Sequence, residues 1–202
     1  MKTKINAVAS MVALAILEIL LSGCKTGHMT IPEATKPQAL EPIRTANAEM
    51  PVKVVVVNFA IKSVENDSDN VDTESLRRNL ALAVPNRLCG SLGGRRVFSE
   101  VSRASSAEPG SADFIVSGDY EIALRSGKGF GTHYASVKGT MSVRVVEVKT
   151  GNQVFQKTYV EEHKDKTTGQ NRARVTWLQS AHVAEITADI KAAIYAARGK
   201  PL

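Results

Sequence analysis

The chain has few of the residues on which metal and catalytic sites depend. It contains only four histidines and two cysteines in 202 residues. No histidine stands at a metal-ligand spacing from another histidine or cysteine, and the serines form no Gly-x-Ser-x-Gly pattern. The segment Gly127 to Gly131 is rich in glycine but lacks the Gly-Lys-Ser/Thr ending of a phosphate-binding loop. The sequence therefore indicates no enzyme, no metal site and no cofactor.

For each of two polar clusters, the sequence allows either a solvated surface or a functional site. The acidic segment around Glu65, Asp67, Asp69 and Asp72 has neither the central glycine nor the closing glutamate of an EF-hand, so we expect a solvated loop, with weak divalent-cation binding as the alternative. His163, Asp165 and Glu161 stand close enough in sequence to form a polar site. Local side chains at a strand end give this pattern often, and a site needs convergent geometry.

The basic residues form no long block, although the formal net charge is +6. Nucleic acid is therefore not an expected partner. A basic loop follows the last predicted strand, and its residues are Lys164, Lys166, Arg172 and Arg174. We expect either a solvated loop or a contact with an acidic partner or with lipid headgroups.

The N-terminus has the pattern of an export signal. Lys2 and Lys4 precede an apolar run from Ile5 to Leu21, and the small residues of Leu21-Ser22-Gly23-Cys24 follow. A transmembrane anchor is the alternative, but Glu18 inside the run disfavours it. The cysteine at the cleavage point makes the segment resemble a bacterial lipoprotein signal, with residues 1–23 as the signal peptide.

That resemblance implies a lipid anchor on Cys24. The cysteine would carry a diacylglycerol thioether, become the new N-terminus and be acylated again, for instance with palmitate. Lys25 after it implies the periplasmic face of the outer membrane, by the sorting rule of enteric bacteria. Cys89 is then left without a disulfide partner, and its place on the apolar side of a helix predicts a buried, inert thiol.

Composition divides the rest of the chain into a tether and one domain. Residues 24–50 hold Pro32, Pro37 and Pro42 among polar residues, without apolar periodicity, and predict a disordered, flexible tether. Residues 51–202 are enough for one domain with a sizeable core.

Periodicity within the domain predicts an α+β fold. The run Val52 to Val57 predicts a central strand. Residues 58–70 predict a loop, and a helix capped by Asp72 or Thr73 follows, which Pro85 should kink or shorten. Four strands follow: Arg96–Val101, Asp113–Leu124, Tyr134–Lys149 and Gln153–Glu161, with a glycine-rich turn at Ser126–Gly131 and a tight turn at Thr150-Gly151-Asn152. A C-terminal helix then carries Trp177, Leu178, Ala181, Ile186, Ile190 and Ile194. We expect a mixed or antiparallel sheet with two main helices packed on it.

Three segments carry a resemblance to a family. They are Val54-Val55-Val56-Val57-Asn58-Phe59, Ala112-Asp113-Phe114-Ile115-Val116-Ser117-Gly118, and the hairpin from Val145 to Phe155. Their order resembles that of bacterial envelope lipoproteins with a TolB-N-terminal-like α/β domain. This group includes the curli-secretion channel lipoprotein and the penicillin-binding-protein activators.

The resemblance implies an accessory role rather than catalysis. It predicts a membrane-anchored lipoprotein that binds and supports an envelope protein machine for cell-wall synthesis, export or lipid transport. One alternative is an oligomeric secretion channel subunit, in which the hairpin Arg125 to Lys138 would insert or line the pore. A further alternative is an ABC-transport auxiliary lipoprotein.

Overall fold

One mixed sheet organises the described part of the chain. The structure is a computed structural model that describes residues 41–67, 72–94, 96–105, 110–129, 132–165 and 180–199, with backbone only for residues 66, 126–129, 132–135 and 164–165. Its strands are β1 Ile43–Arg44, β2 Met50–Val57, β3 Ala60–Asn66, β4 Phe98–Ala104, β5 Phe114–Gly129, β6 Thr132–Glu147 and β7 Gln153–Asp165. Its helices are α1 Thr73–Gly93 and α2 Val183–Ala197.

The strand order combines parallel and antiparallel pairs. The order across the sheet is β1-β4-β2-β5-β6-β7, and β3 lies beside β5. Strand β2 runs parallel to both β4 and β5, and β3 continues parallel to β5 beyond the end of β2. The long β5–β6–β7 part is antiparallel. This arrangement confirms the predicted α+β class with a mixed sheet and two helices.

Both described helices pack on the same face of the sheet. In β5 this helix face carries the buried residues Phe114, Val116, Tyr120, Ile122 and Leu124. The two helices contact each other, and Thr187 Oγ1 of α2 donates to Ser91 Oγ of α1 at 3.0 Å. The other side of the sheet, the open face, carries alternate β5 residues such as Ser117 and Glu121, which are half-buried or exposed.

The core forms between the helix face and the two helices. Leu76, Leu80, Leu88 and Leu92 of α1 are fully buried, as are three isoleucines of α2: Ile186, Ile190 and Ile194. Every described element lies between residues 43 and 197. The chain from Lys25 onward therefore contains this whole fold.

Helix α1 begins where the sequence predicted, but Pro85 does not shorten it. The Asp72 carboxylate accepts from the backbone N–H groups of Glu74 and Ser75, at 3.2 and 3.1 Å. The helix continues through Pro85 to Gly93. A proline removes one backbone donor, and here its ring is buried against the core, which offsets that loss.

Two strands lie where no strand was predicted. Residues 60–66 form β3 rather than part of a loop, because Ile61 and Val64 face inward while the residues between them are polar. Residues 43–44 form β1 within the segment predicted as a tether, and Ile43 packs on Gly93 of α1. The folded part thus begins before Pro51.

Strand lengths also differ from the prediction at several ends. Residues 126–129, predicted as a turn, continue β5 opposite the start of β6. Strand β4 extends to Ala104 rather than Val101. The turn at residues 150–152 is confirmed: Gly151 has φ +71°, and its N–H donates to Glu147 O at 2.9 Å. Trp177 and Leu178 lie outside the described residues.

Candidate functional site

A network of charged side chains joins α2 to the edge strand β7. Alternation places Lys157, Tyr159 and Glu161 on the helix face of β7, next to α2. Glu185 and Asp189 stand one turn apart on α2, and His182 precedes its first residue. We call these six residues the β7–α2 network.

Its hydrogen bonds form a continuous chain between strand and helix. Asp189 Oδ2 accepts from Tyr159 Oη and from Lys157 Nζ, both at 2.7 Å. Lys157 Nζ also donates to Glu185 Oε1 at 2.9 Å, and Glu185 Oε2 lies 2.7 Å from His182 Nδ1. Glu161 Oε1 lies 2.9 Å from His182 Nε2. That last pair is within ion-pair distance but lacks hydrogen-bond geometry.

The network lowers the pKa of Glu185 and of Asp189, and the pKa of its buried phenol is raised. The hydrogen bond from Lys157 holds the pKa of Asp189, and likewise that of Glu185, below the ordinary value. The same bonds raise the pKa of the Lys157 ammonium. Burial raises the pKa of Tyr159, and the Asp189 carboxylate adds to this. These charges satisfy each other, so the network fastens α2 to β7.

The substitution Asp189→Asn should lower the free energy of unfolding by ~0.5–1 kcal/mol at neutral pH. The depressed pKa of Asp189 means that its contribution is present above the unfolded pKa and is lost as the pH falls through the lower folded pKa. The deficit should therefore shrink in acid, below about pH 4. Urea unfolding at neutral and acidic pH measures it.

Glu121→Gln is the matched control for that experiment. Glu121 is exposed on the open face, so this change removes a carboxylate without altering the β7–α2 network. An Asp189→Asn deficit that is the same in acid and at neutral pH would show that the charge of Asp189 does not stabilise α2 on β7.

A second polar cluster contains residues of the segments that carry the family resemblance. Arg198, just after α2, places Nη2 3.2 Å from Asp113 Oδ1 and Nη1 3.6 Å from Glu147 Oε1. Its guanidinium carbon lies 5.0 Å from the centroid of the Phe114 ring. The other Asp113 oxygen accepts from Lys53 N–H at 2.8 Å. We call this the Arg198 clasp, and it holds the end of α2 against β2, β5 and β6.

Two further motif residues, Phe59 and Gly118, contact each other at the break between β2 and β3. Phe59, which follows Asn58, lays its ring over Gly118 of β5. Two segments that resemble the family, about sixty residues apart in the chain, thus contact each other directly. The contact explains both the aromatic residue and the glycine as packing partners.

Arg103 lies half-buried at the end of β4 without an acidic partner in the described chain. Its Nη2 donates to Asn58 Oδ1 at 2.5 Å, while Nε is buried and makes no hydrogen bond. Cys89 on α1 lies nearby, and burial raises the pKa of its thiol. The prediction of a buried Cys89 is confirmed, and the raised pKa agrees with an inert thiol.

The structure gives several residues that the sequence grouped as candidate sites partners elsewhere in the chain. Glu161 contacts His182 of α2, a partner that is distant in sequence. Glu65 lies 3.5 Å from Arg125, whereas Asp72 caps α1. Within the described residues, no group of three or more His, Cys, Asp or Glu side chains could hold a metal ion.

The predicted lipid and partner contacts fall largely outside the described residues. This applies to Cys24 and to three residues of the basic loop: Lys166, Arg172 and Arg174. Lys164 lies in β7 opposite Ser136. No described helix is long and apolar enough to cross a membrane.

The hairpin of β5 and β6 extends past its neighbours. Its ladder continues to the pair Gly129 and Thr132, whereas β3 ends opposite Leu124 and β7 ends opposite Ala135. A two-stranded segment therefore projects from the sheet. Its insertion into a membrane or pore stays a prediction.

Sequence reasoning missed the β7–α2 network and the Arg198 clasp. The i, i+4 spacing of Glu185 and Asp189 on α2, and the alternation of Lys157 and Glu161 on β7, could have signalled a polar interface. Nothing in the sequence pairs the helix with that strand, because the contact depends on the sheet order.

Comparison with known proteins gives structural matches but no sequence match. No family model and no curated protein matches the chain. A homolog of neuraminyllactose-binding hemagglutinin from Helicobacter pylori is 17% identical, with a TM-score of 0.50 over 71% of this chain and 86% of that chain. This chain shares its fold with the Helicobacter protein.

Further solved structures are similar at lower TM-scores. A PelC dodecamer from Paraburkholderia phytofirmans is 17% identical, with a TM-score of 0.45 over 74% of this chain and 94% of that chain. A minor lipoprotein from Acinetobacter baumannii is 13% identical, with a TM-score of 0.40 over 73% and 95%. Bacterial lipoproteins are thus among the structures that this chain is similar to, while the narrower resemblance to curli-secretion and penicillin-binding-protein-activator lipoproteins stays a prediction.

Proposed function

We propose that this chain is a lipid-anchored accessory lipoprotein of the bacterial cell envelope. Its acyl chains on Cys24 would hold it at the periplasmic face of the outer membrane, and its α+β domain would bind a protein machine there. The lipoprotein signal at Leu21-Ser22-Gly23-Cys24 supports the anchor. The fold shared with the Helicobacter protein is compatible with this role.

The one-sided packing of the sheet is the observation that carries the binding role. Both described helices cover the helix face, and the β7–α2 network and the Arg198 clasp hold α2 on the sheet. On the open face, the edge strand β7 presents Val160 with 55% of its surface exposed. An edge strand that carries an exposed apolar side chain is a suitable surface for a protein partner.

A photo-crosslinking residue at position 160 should capture a membrane-associated protein in cells. Replacing Cys24 with alanine should remove the chain from membranes washed at high salt and abolish most of that crosslink, because the anchor keeps the domain beside its partner. Gel electrophoresis and mass spectrometry of the crosslinked product, with and without Cys24→Ala, measure both effects.

The matched control places the same crosslinking residue at Ala188. This residue is exposed on α2, away from the open face. The same products from both positions would show that capture reflects proximity alone, and association of Cys24→Ala with membranes washed at high salt would contradict the lipid anchor.

A further inference from the structure

The described arginines divide into two groups by their partners. Arg44, Arg125, Arg144 and Arg198 each lie within 4 Å of a carboxylate. Five other described arginines have no such partner among the described residues; Arg103 is half-buried, and Arg77, Arg78, Arg87 and Arg96 are exposed. We call these four the arginine surface.

The arginine surface lies in the half of the domain formed by α1 and β4. Arg77, Arg78 and Arg87 are on α1, with about 14 Å of helix between Arg78 and Arg87. Arg96 lies in the turn that leads to β4. Glu74 is the one acidic residue within α1, and the N-cap Asp72 interacts electrostatically with Arg78. Exposed guanidinium groups without a carboxylate within 4 Å among the described residues are suited to phosphate groups, which they can bind with bidentate hydrogen bonds.

The N-terminal chain enters the domain in this same half. Strand β1 pairs with β4, and Ile43 lies against Gly93 at the end of α1. Arg87 and Arg96 flank Gly93 in sequence. If the chain between Cys24 and Ile43 joins the domain to a lipid, the membrane lies within about 65 Å of this entry point, even for a fully extended segment.

The opposite half of the domain carries a group of acidic residues. Glu161, Glu162, Glu185 and Asp189 lie on β7 and α2. An anionic surface would therefore attract the α1 half and repel exposed carboxylates of the other half, which orients the domain.

We propose that the arginine surface docks this domain onto the anionic phospholipid headgroups of the membrane that anchors it. The occupant follows from charge complementarity and from where the N-terminal chain enters. Docking would turn β7 and the open face away from the bilayer, toward a partner. The inference rests on the proposed function, because the anchor supplies the nearby membrane.

Vesicle sedimentation tests the docking without the lipid anchor. The probe is the chain from Lys25 to Leu202, mixed with phosphatidylcholine vesicles that either contain or lack phosphatidylglycerol. We expect binding only to the vesicles with phosphatidylglycerol. Each arginine near an anionic surface contributes about fivefold in affinity, so the double substitution Arg77→Glu and Arg87→Glu should weaken binding at least about 25-fold. Binding should also fall with rising salt.

The matched control is the double substitution Lys149→Glu and Lys191→Glu. It changes the net charge by the same amount, at the β6–β7 turn and on α2, and should change binding far less. Circular dichroism verifies that each variant is folded. No binding to phosphatidylglycerol vesicles, or equal weakening by both double substitutions, would overturn the docking surface.

The same experiment keeps the two proposals distinguishable. Because the probe carries no acyl chain, its binding does not depend on whether Cys24 is lipidated. Vesicle binding with the expected variant ranking supports docking even if Cys24 proves unmodified in cells. If the chain is lipidated in cells but the probe without acyl chains binds no vesicles, the lipid anchor is supported and the docking is overturned.

Discussion

Replacing Gly118 with alanine is expected to lower the free energy of unfolding by ~2–3 kcal/mol. A Cβ at this position would lie 2.6 Å from Cε2 of the Phe59 ring and 2.7 Å from the backbone oxygen of Ser142. Ser142 belongs to the β5–β6 ladder, opposite Asp119, and cannot move away without disturbing that pairing. Chemical denaturation, or a fall in Tm of roughly 5–10 °C, would measure the effect.

Gly90→Ala is the matched control because the same change meets no neighbour there. Position 90 is an exposed helical position, and a Cβ added to it would have no heavy atom of another residue within 4 Å, apart from its chain neighbours and its own helix backbone. Alanine should stabilise α1 by ~0.5–1 kcal/mol. A Gly118→Ala variant as stable as the native chain would mean that the Phe59 ring is not fixed over β5.

The distance in sequence between Phe59 and its partner Gly118 shows why the motifs alone were hard to interpret. Sequence pattern identified Asn58-Phe59 and Ser117-Gly118 as features of a family, but not as a contact. The contact arises because β2 and β3 run along one side of β5, with Phe59 at the break between them. Parallel pairing of distant strands sets this position, and local periodicity carries no information about it.

Strong apolar periodicity predicted the main elements well. The run at β2 and the three isoleucines of α2 are buried as expected, since each repeats at the period of its element. Strand β3 was missed because Ile61 and Val64 are its only strongly apolar inward residues, and a register shift separates Ile61 from Ser63. Short or interrupted patterns of this kind resemble a polar loop.

The polar clusters were the least predictable part. Asp113 and Arg198 are 85 residues apart, and Glu49 accepts from Tyr195 across 146 residues. Such pairs exist because the sheet and α2 bring two ends of the chain together. The sequence motifs included Asp113 and Glu147 of the Arg198 clasp, but they did not indicate Arg198 as the common partner of these two residues.

Replacing Asp113 with alanine should destabilise the domain by about 2 kcal/mol, more than any change at its partner Arg198. Asp113 supplies an acceptor to the half-buried N–H of Lys53, besides its pair with Arg198. The alanine variant leaves that donor without its bond, whereas Arg198→Ala removes solvent-accessible ion pairs with Asp113 and Glu147 and a contact with the Phe114 ring, which together contribute about 1 kcal/mol. Urea unfolding of both variants measures the difference.

Asp113→Asn separates the two parts of that role. Its side-chain oxygen can still accept from Lys53, while the charge that attracts Arg198 is lost, so its effect should match that of Arg198→Ala. The expected loss of stability is therefore much larger for Asp113→Ala than for Asp113→Asn. If Asp113→Ala leaves the free energy of unfolding unchanged, then Asp113 does not hold the fold together, and the segment that resembles the envelope lipoproteins is better explained by contact with a partner. The predicted ranking would instead assign this segment to the joint between the sheet and α2, which leaves the open face as the surface for binding.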